Sequence, residues 1–272
     1  MTPEDGLKAC CAAAYSGDVV CALLGDSYHP GGGRLTRRLV DSLAVRPGER
    51  VLDVACGRGS TALLLAGEYG VRAHGIDYSV ENAAVARAAA QGLGLAQRAA
   101  FASADAERLP YPDAAFDVVV CECALCTFPD KVRAVAEFAR VLRPGGRLGL
   151  ADVTVEPGQL GPELSGLGAR IACLGDALPL HGYVDLLTGA GLRTVLAEPH
   201  QRALLAMVDR IEARLALLRM TAPGMLSSAN IDPSATTVVL AQARRAVAGQ
   251  TLGYALVIAH KDGQRSPGRR PS

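Results

Sequence analysis

The chain predicts an α/β fold: a doubly wound, mostly parallel seven-stranded sheet with a helical insert before the last strand. Three observations carry this. A short apolar run, Val51 to Val54, passes through a glycine turn, Gly57 and Gly59, into a helical stretch. Strand-like runs then alternate with helical ones as far as Ala197, the pattern of crossover units that build a parallel sheet. Finally, the last strand-like run, Leu252 to Ala259, follows its predecessor only after about fifty residues with helical character, far more than the few residues of a hairpin.

Taken in order, residues 3 to 24 read as helical, interrupted at Ser16-Gly17-Asp18, and residues 25 to 33 as a glycine-rich loop holding Tyr28 and His29. Leu35 to Leu43 is an amphipathic helix, and Arg46 to Glu49 turns into the first strand. That strand, 51–54, is buried on both faces by its composition, with Asp53 its single carboxylate. Ser60 opens the next helix. The second strand, His74 to Asp77, leads to a helix capped by Ser79 and ended by Gly94. Phe101 to Ala104 and Asp117 to Glu122 are the third and fourth strands, separated by a turn at Pro110 to Asp113. A helix over 129–142, a turn at Pro144 to Gly146 and a strand over 147–153 follow, and Asp152 near its end either faces a pocket or caps a turn. A connection over 155–180, a helix over 182–190 and a sixth strand over 192–197 complete the alternation. The insert, 199–249, reads as helices 200–220 and 233–248 joined by 221–228, and serves as a lid or a homodimer contact. The organisation is thus a helical amino-terminal segment with an acceptor-side loop (1–44), a core (45–198 and 250–261), the insert (199–249) and a disordered tail (262–272).

Half the residues are hydrophobic, enough for a large core. A net charge of +1 and 4% aromatic residues offer neither a basic stripe nor stacking platforms, which argues against a nucleic acid partner. No apolar run reaches the eighteen residues of a membrane span, and the first residues lack the features of a signal peptide, so a cytoplasmic protein is expected. Eight cysteines, at 10, 11, 21, 56, 121, 123, 126 and 173, then read as thiols rather than disulfides.

The glycine turn needs glycine because a ligand approaches the backbone where strand hands over to helix. Asp77, eighteen residues past Gly59, stands where an acid takes both hydroxyls of a ribose. Together, Asp53-x-x-x-Gly57-x-Gly59, Asp77, Asp105 and the Arg140 to Gly146 turn resemble the class I S-adenosylmethionine-dependent methyltransferases, over residues 45 to 155. The resemblance implies a Rossmann-like methyltransferase fold whose last two strands are antiparallel, S-adenosyl-L-methionine as cofactor, and a small-molecule acceptor. It places the cofactor against Asp53, Ala55, Cys56, Gly57, Gly59, Asp77, Tyr78, Asp105, Ala106 and Glu122. Asp53 would hold the methionine amino group, Asp77 the ribose, and Asp105 with the Ala106 backbone the adenine. The plainer reading of Asp53 and Asp77 is a cap on the following helix.

Residues at the carboxyl end of the fourth strand are expected beside the transferred methyl, and three of them are thiols: Cys121, Cys123 and Cys126. Strand alternation sends Cys121 and Cys123 to one face and Glu122 to the other. Packing is one role for them. A zinc site would need a fourth ligand, Cys173 or His29. The Cys10-Cys11 pair, Cys123 with Pro129-Asp-Lys131, and Cys173 with the residues to Leu178 also resemble pieces of the arsenite methyltransferases. That resemblance implies an As(III) thiolate site at Cys10, Cys11, Cys123 and Cys173, soft ligands for a soft centre. The match departs at Ser60, Thr61 and Ala62, where that family has a cysteine, and no cysteine follows Cys173. An arsenite or other thiophilic acceptor is the leading expectation. The alternatives are an O-, N- or C-methyltransferase of small-molecule metabolism, and a non-catalytic cofactor-binding protein. An oxygen or nitrogen acceptor calls for a general base, with His29, Glu122, His181 and His200 as candidates and Tyr28 nearby.

Overall fold

The computed structural model describes residues 6, 8–9, 17–25, 28–161, 164, 174–229 and 231–263. Cys10, Cys11 and Cys173, the end of the tail, and most of the 3–17 helical reading lie outside them. Among the described residues the order is α1 (Asp18–Leu24), α2 (Gly32–Ser42), β1 (Arg50–Val54), α3 (Ser60–Glu68), β2 (Arg72–Asp77), α4 (Val80–Gly92), β3 (Ala99–Ser103) and β4 (Phe116–Glu122). It continues with a 3-10 turn (Leu125–Thr127), α5 (Lys131–Val141), β5 (Leu142–Val155), α6 (Leu180–Gly189), β6 (Leu192–Pro199), α7 (Gln201–Thr221), α8 (Pro223–Ser228), α9 (Pro233–Ala248) and β7 (Leu252–Lys261).

The strands form one seven-stranded sheet in the order β3-β2-β1-β4-β5-β7-β6. All neighbours are parallel until β7, which runs antiparallel to both β5 and β6. Alternation along β1 explains the two-sided core. Val51 joins a cluster with Leu39 and Val40 of α2, Leu65 of α3 and Ala86 of α4, whereas Leu52 and Val54 join one with Val135 and Phe138 of α5 and Tyr183 and Leu187 of α6. Because chain order reverses between β1 and β4, the loops after these strands leave to opposite sides and open a crevice at their carboxyl ends.

The caps follow local chemistry. The Ser79 hydroxyl accepts the Asn82 N–H, the Asp130 carboxylate that of Arg133, and Asp232 that of Ser234, ahead of Pro233 in the first turn of α9. Most ends shift by a residue or two, and three differences from the expectation alter an element. Helix α2 begins at Gly32, so two glycines assigned to the loop form its first turn. The Pro144 to Gly146 turn is a bulge within β5, absorbed where pairing with β4 jumps from Leu142 to Arg147. Residues 221–228 are not a plain join but hold α8, begun by Pro223. The insert packs over the amino-terminal side: Leu204, Val208 and Leu215 of α7 and Leu240 of α9 share a cluster with Val19 and Leu23 of α1. Arg214 also donates to the Leu23 carbonyl.

Candidate functional site

A cavity of about 910 Å³ lies at the carboxyl ends of β1, β2 and β4. Its floor is the turn after β1. Gly57, at φ +54°, has a backbone that a side chain would leave facing open space, since nothing stands within 4 Å of an ideal Cβ. Gly59 differs. Its φ is +87°, and a Cβ there would stand 2.9 Å from Ala86 and from the Phe101 ring. Gly57 lines the cavity and Gly59 does not. The two glycines therefore differ in their surroundings: Gly57 borders the cavity, and Gly59 packs against Ala86 and Phe101.

Asp77, at the end of β2, ties this turn together. Its Oδ2 accepts the Gly57 N–H (2.8 Å), and its Oδ1 accepts the Ser79 N–H (2.9 Å) and Asn82 Nδ2 (3.3 Å). Burial raises its pKa, opposed by these hydrogen bonds. With one bond at Oδ2, that oxygen keeps a lone pair for a ligand hydroxyl. Asp53 is 2% exposed and accepts the Ala62 N–H at 3.0 Å, so the capping reading describes it in this structure. Burial first, then the nearby Glu122 charge, hold its carboxyl well above the usual range.

At the far end Asp105 accepts the Glu107 N–H (2.9 Å) and binds Lys8 Nζ (2.8 Å), which also pairs with the buried Glu107. Tyr78, Ala106, Asn82 and Phe128 line the same region. At the other end Cys21 and Tyr28 face each other, sulfur to hydroxyl 2.6 Å, and Arg58 Nη1 donates to the sulfur at 3.3 Å. Burial, then the hydrogen bond to Cys21, push the Tyr28 hydroxyl up to about 12. Between the two ends Glu122 accepts from Thr61 (2.7 Å) and Thr36 (3.1 Å), with His29 Nδ1 at 3.8 Å from it.

Of the residues singled out in the sequence, Tyr28, His29, Asp53, Ala55, Cys56, Gly57, Asp77, Tyr78, Asp105, Ala106, Glu122 and Cys123 line the cavity. Cys121 and Cys126 do not. They are 0% and 1% exposed, in the cores on opposite sides of the sheet. The predicted alternation fails here because β4 ends at Glu122 and Cys123 turns to φ +55°, sending its side chain toward the cluster opposite to that of Cys121. Among the described residues no three His, Cys, Asp or Glu side chains are grouped to hold a metal ion. Asp152 caps the loop, accepting the N–H of Cys126 at 3.0 Å. His181 and His200 stand outside the cavity. Lys8, Thr36 and Thr61 are additions to the predicted set. Thr36 carried a signal, a hydroxyl on the apolar face of α2 at helical spacing from Leu39 and Val40; Lys8 meets acids 97 and 99 residues away, which nothing local reveals.

A family model described as a methyltransferase domain matches residues 52–150. The 27-O-demethylrifamycin SV methyltransferase of Amycolatopsis mediterranei is 34% identical over 230 residues, covering 84% of this chain and 83% of that protein. Among solved structures, the [4+2]-cyclase SpnF superposes with a TM-score of 0.71 at 26% identity, over 85% of this chain and 81% of that one. The Haemonchus contortus phosphoethanolamine N-methyltransferase 2, in complex with S-adenosyl-L-methionine, gives 0.78 at 18% identity, over 94% and 60%, a likeness of fold.

Proposed function

This chain belongs to the class I S-adenosylmethionine-dependent methyltransferases, and we propose that it methylates a hydroxyl oxygen of a small organic molecule. The observation that carries the reading is the size and two-ended character of the cavity. At about 910 Å³ it is near the top of the ~300–1,000 Å³ range of small-ligand sites, room for a nucleoside and an acceptor together. The similarity to a 27-O-demethylrifamycin SV methyltransferase supports an oxygen acceptor. It favours small-molecule metabolism over the arsenite reading.

The residues fit the methyl donor. Gly57 leaves open space beside the backbone, Asp77 Oδ2 retains acceptor capacity, and the Asp53 and Glu122 carboxyls line the cavity, where a bound cation would favour their charged forms. Asp77 would take the ribose hydroxyls, Asp105 and the Ala106 backbone the adenine, and Asp53 would face the amino group. When bound, S-adenosylmethionine supplies a methyl group on a positively charged sulfur. The protein's own contribution is position: holding the acceptor oxygen at about 3–3.5 Å from that methyl and keeping water away. Helix α1 and Tyr28 wall the acceptor end, and the insert behind α1 braces that wall.

Incubating the protein with S-adenosylmethionine and 27-O-demethylrifamycin SV, catechol or 4-nitrocatechol, and following S-adenosylhomocysteine and product by mass spectrometry, tests the reading. Methyl added at oxygen supports it; transfer only to nitrogen, carbon or arsenite, or none at all, refutes it.

A further inference from the structure

Resting on the hydroxyl-methylation reading, we propose that His29 is the general base of the reaction, with Thr36 and Glu122 as its positioning residues. Among the described residues it is the imidazole that lines the cavity; His181 is exposed on α6 and His200 precedes α7 as its N-cap, both outside it. His29 is 6% exposed, so its ring is held rather than free to turn.

The ring's surroundings choose its tautomer. Nδ1 faces two acceptors, the Pro30 carbonyl at 3.3 Å and Glu122 Oε1 at 3.8 Å, and neither can donate to it. Nδ1 therefore carries the proton. Nε2 is then the lone-pair nitrogen, and its neighbour is the Thr36 hydroxyl at 3.3 Å. That hydroxyl has one proton and two places to send it: Nε2, or Glu122 at 3.1 Å. An arriving acceptor hydroxyl takes over Nε2, and the Thr36 proton goes to the carboxylate, the shorter bond.

The same hydroxyl serves the next state. Once Nε2 has a proton it donates to Thr36 Oγ1, which donates to Glu122. Nδ1–H still points to Pro30 and Glu122, so both protonation states of the ring are fully hydrogen-bonded after one hydroxyl rotation. The step balances. The acceptor O–H proton passes to Nε2 and the oxygen lone pair forms the new C–O bond. The C–S bond breaks with its electron pair left on sulfur, now a neutral thioether. Glu122 steadies the imidazolium by charge, and Thr61, donating at 2.7 Å, fixes the carboxylate. Other groups at the cavity are less suited. Tyr28 is held by Cys21, and Asp53 spends an oxygen on the Ala62 N–H.

Two measurements decide. In the ligand-free protein, nitrogen-resolved NMR of the His29 ring should show Nδ1 protonated and Nε2 bare in the neutral form; the reverse tautomer overturns the proposal. In turnover with 27-O-demethylrifamycin SV, catechol and 4-nitrocatechol, His29→Gln should lower kcat about 10²- to 10⁴-fold, the usual worth of a general base, with affinity for S-adenosylhomocysteine within about threefold of wild type. The loss should be smaller for 4-nitrocatechol, whose hydroxyl gives up its proton more readily. Added imidazole should restore part of the activity of His29→Ala. Thr36→Val should lower kcat more than it raises KM, and Thr36→Ser should recover it. Wild-type kcat in His29→Gln, or an equal loss with every acceptor and no rescue, overturns the proposal while leaving the methyltransferase reading intact. A wild type that methylates none of the three hydroxyl acceptors overturns the reading and the proposal with it.

Discussion

Alanine at Gly57 and alanine at Gly59 should fail in different ways, although the two positions are two residues apart. At Gly59 the left-handed backbone costs an L-residue about 1–2 kcal/mol. The new methyl would stand 2.9 Å from Ala86 Cβ and from two Phe101 ring atoms, closer than carbon atoms pack. Overpacking of this kind costs about 1–3 kcal/mol, for a sum of roughly 2–5 kcal/mol. Ala86 and Phe101 are buried on α4 and β3, so the neighbours have little room to yield. At about 2–4 °C per kcal/mol for a chain of this size, Gly59→Ala should lower Tm by roughly 4–20 °C. Gly57→Ala carries the backbone cost alone, about 1–2 kcal/mol, and its methyl meets open space along the cavity. Its Tm should fall by only a few degrees, while its affinity for S-adenosylmethionine falls tenfold or more, about 1.4 kcal/mol. Differential scanning fluorimetry and isothermal titration calorimetry on the two variants give both quantities. Equal melting points together with equal affinities would refute the division of labour.

Other consequences are as direct. Burial and Glu122 raise the Asp53 carboxyl, so its contribution to stability is present while it is protonated, at low pH, and is lost as pH rises through its folded value. Asp53→Asn, which keeps an acceptor for Ala62, should therefore raise the melting temperature of the ligand-free protein relative to wild type at alkaline pH, and that gain should shrink as pH falls toward the ordinary carboxylate range, as melting curves across pH would show. Lys8→Met leaves Asp105 and the buried Glu107 without their cation. Denaturant titration should show a loss of about 1–3 kcal/mol, below the full cost of breaking a buried pair because Asp105 remains a third exposed. Arsenite with excess thiol should not raise the release of S-adenosylhomocysteine above a thiol blank; stimulation would restore the thiophilic acceptor.

Much of this architecture was legible because buried parallel strands announce themselves. Val51 to Val54 and Val118 to Val120 are continuous apolar runs, and Ser79 and Gly94 mark their helix as local chemistry requires. The seven strands and the antiparallel last strand appear where expected. What the sequence hid was convergence across distance. Strand alternation grouped Cys121 with Cys123, but the left-handed turn at Cys123, a property of the loop geometry, sends them to opposite cores. Gly57 and Gly59 look equivalent in a motif, and only the presence of Phe101 and Ala86 against one of them separates ligand approach from packing. His29 and Glu122 were visible as single titratable residues. Their pairing through Thr36 was not, since it joins α2 to the end of β4 across 86 residues.

Calorimetric titration of S-adenosylhomocysteine into the wild-type chain and into Asp77→Ala tests the central claim most directly, that the crevice beside Gly57 and Asp77 holds the adenosyl group. The account predicts one site per chain in the wild type and binding at least tenfold weaker in the variant, which loses the acceptor for ribose and the tie to the Gly57 N–H. No heat of binding in the wild type, or the same affinity in both proteins, would contradict it.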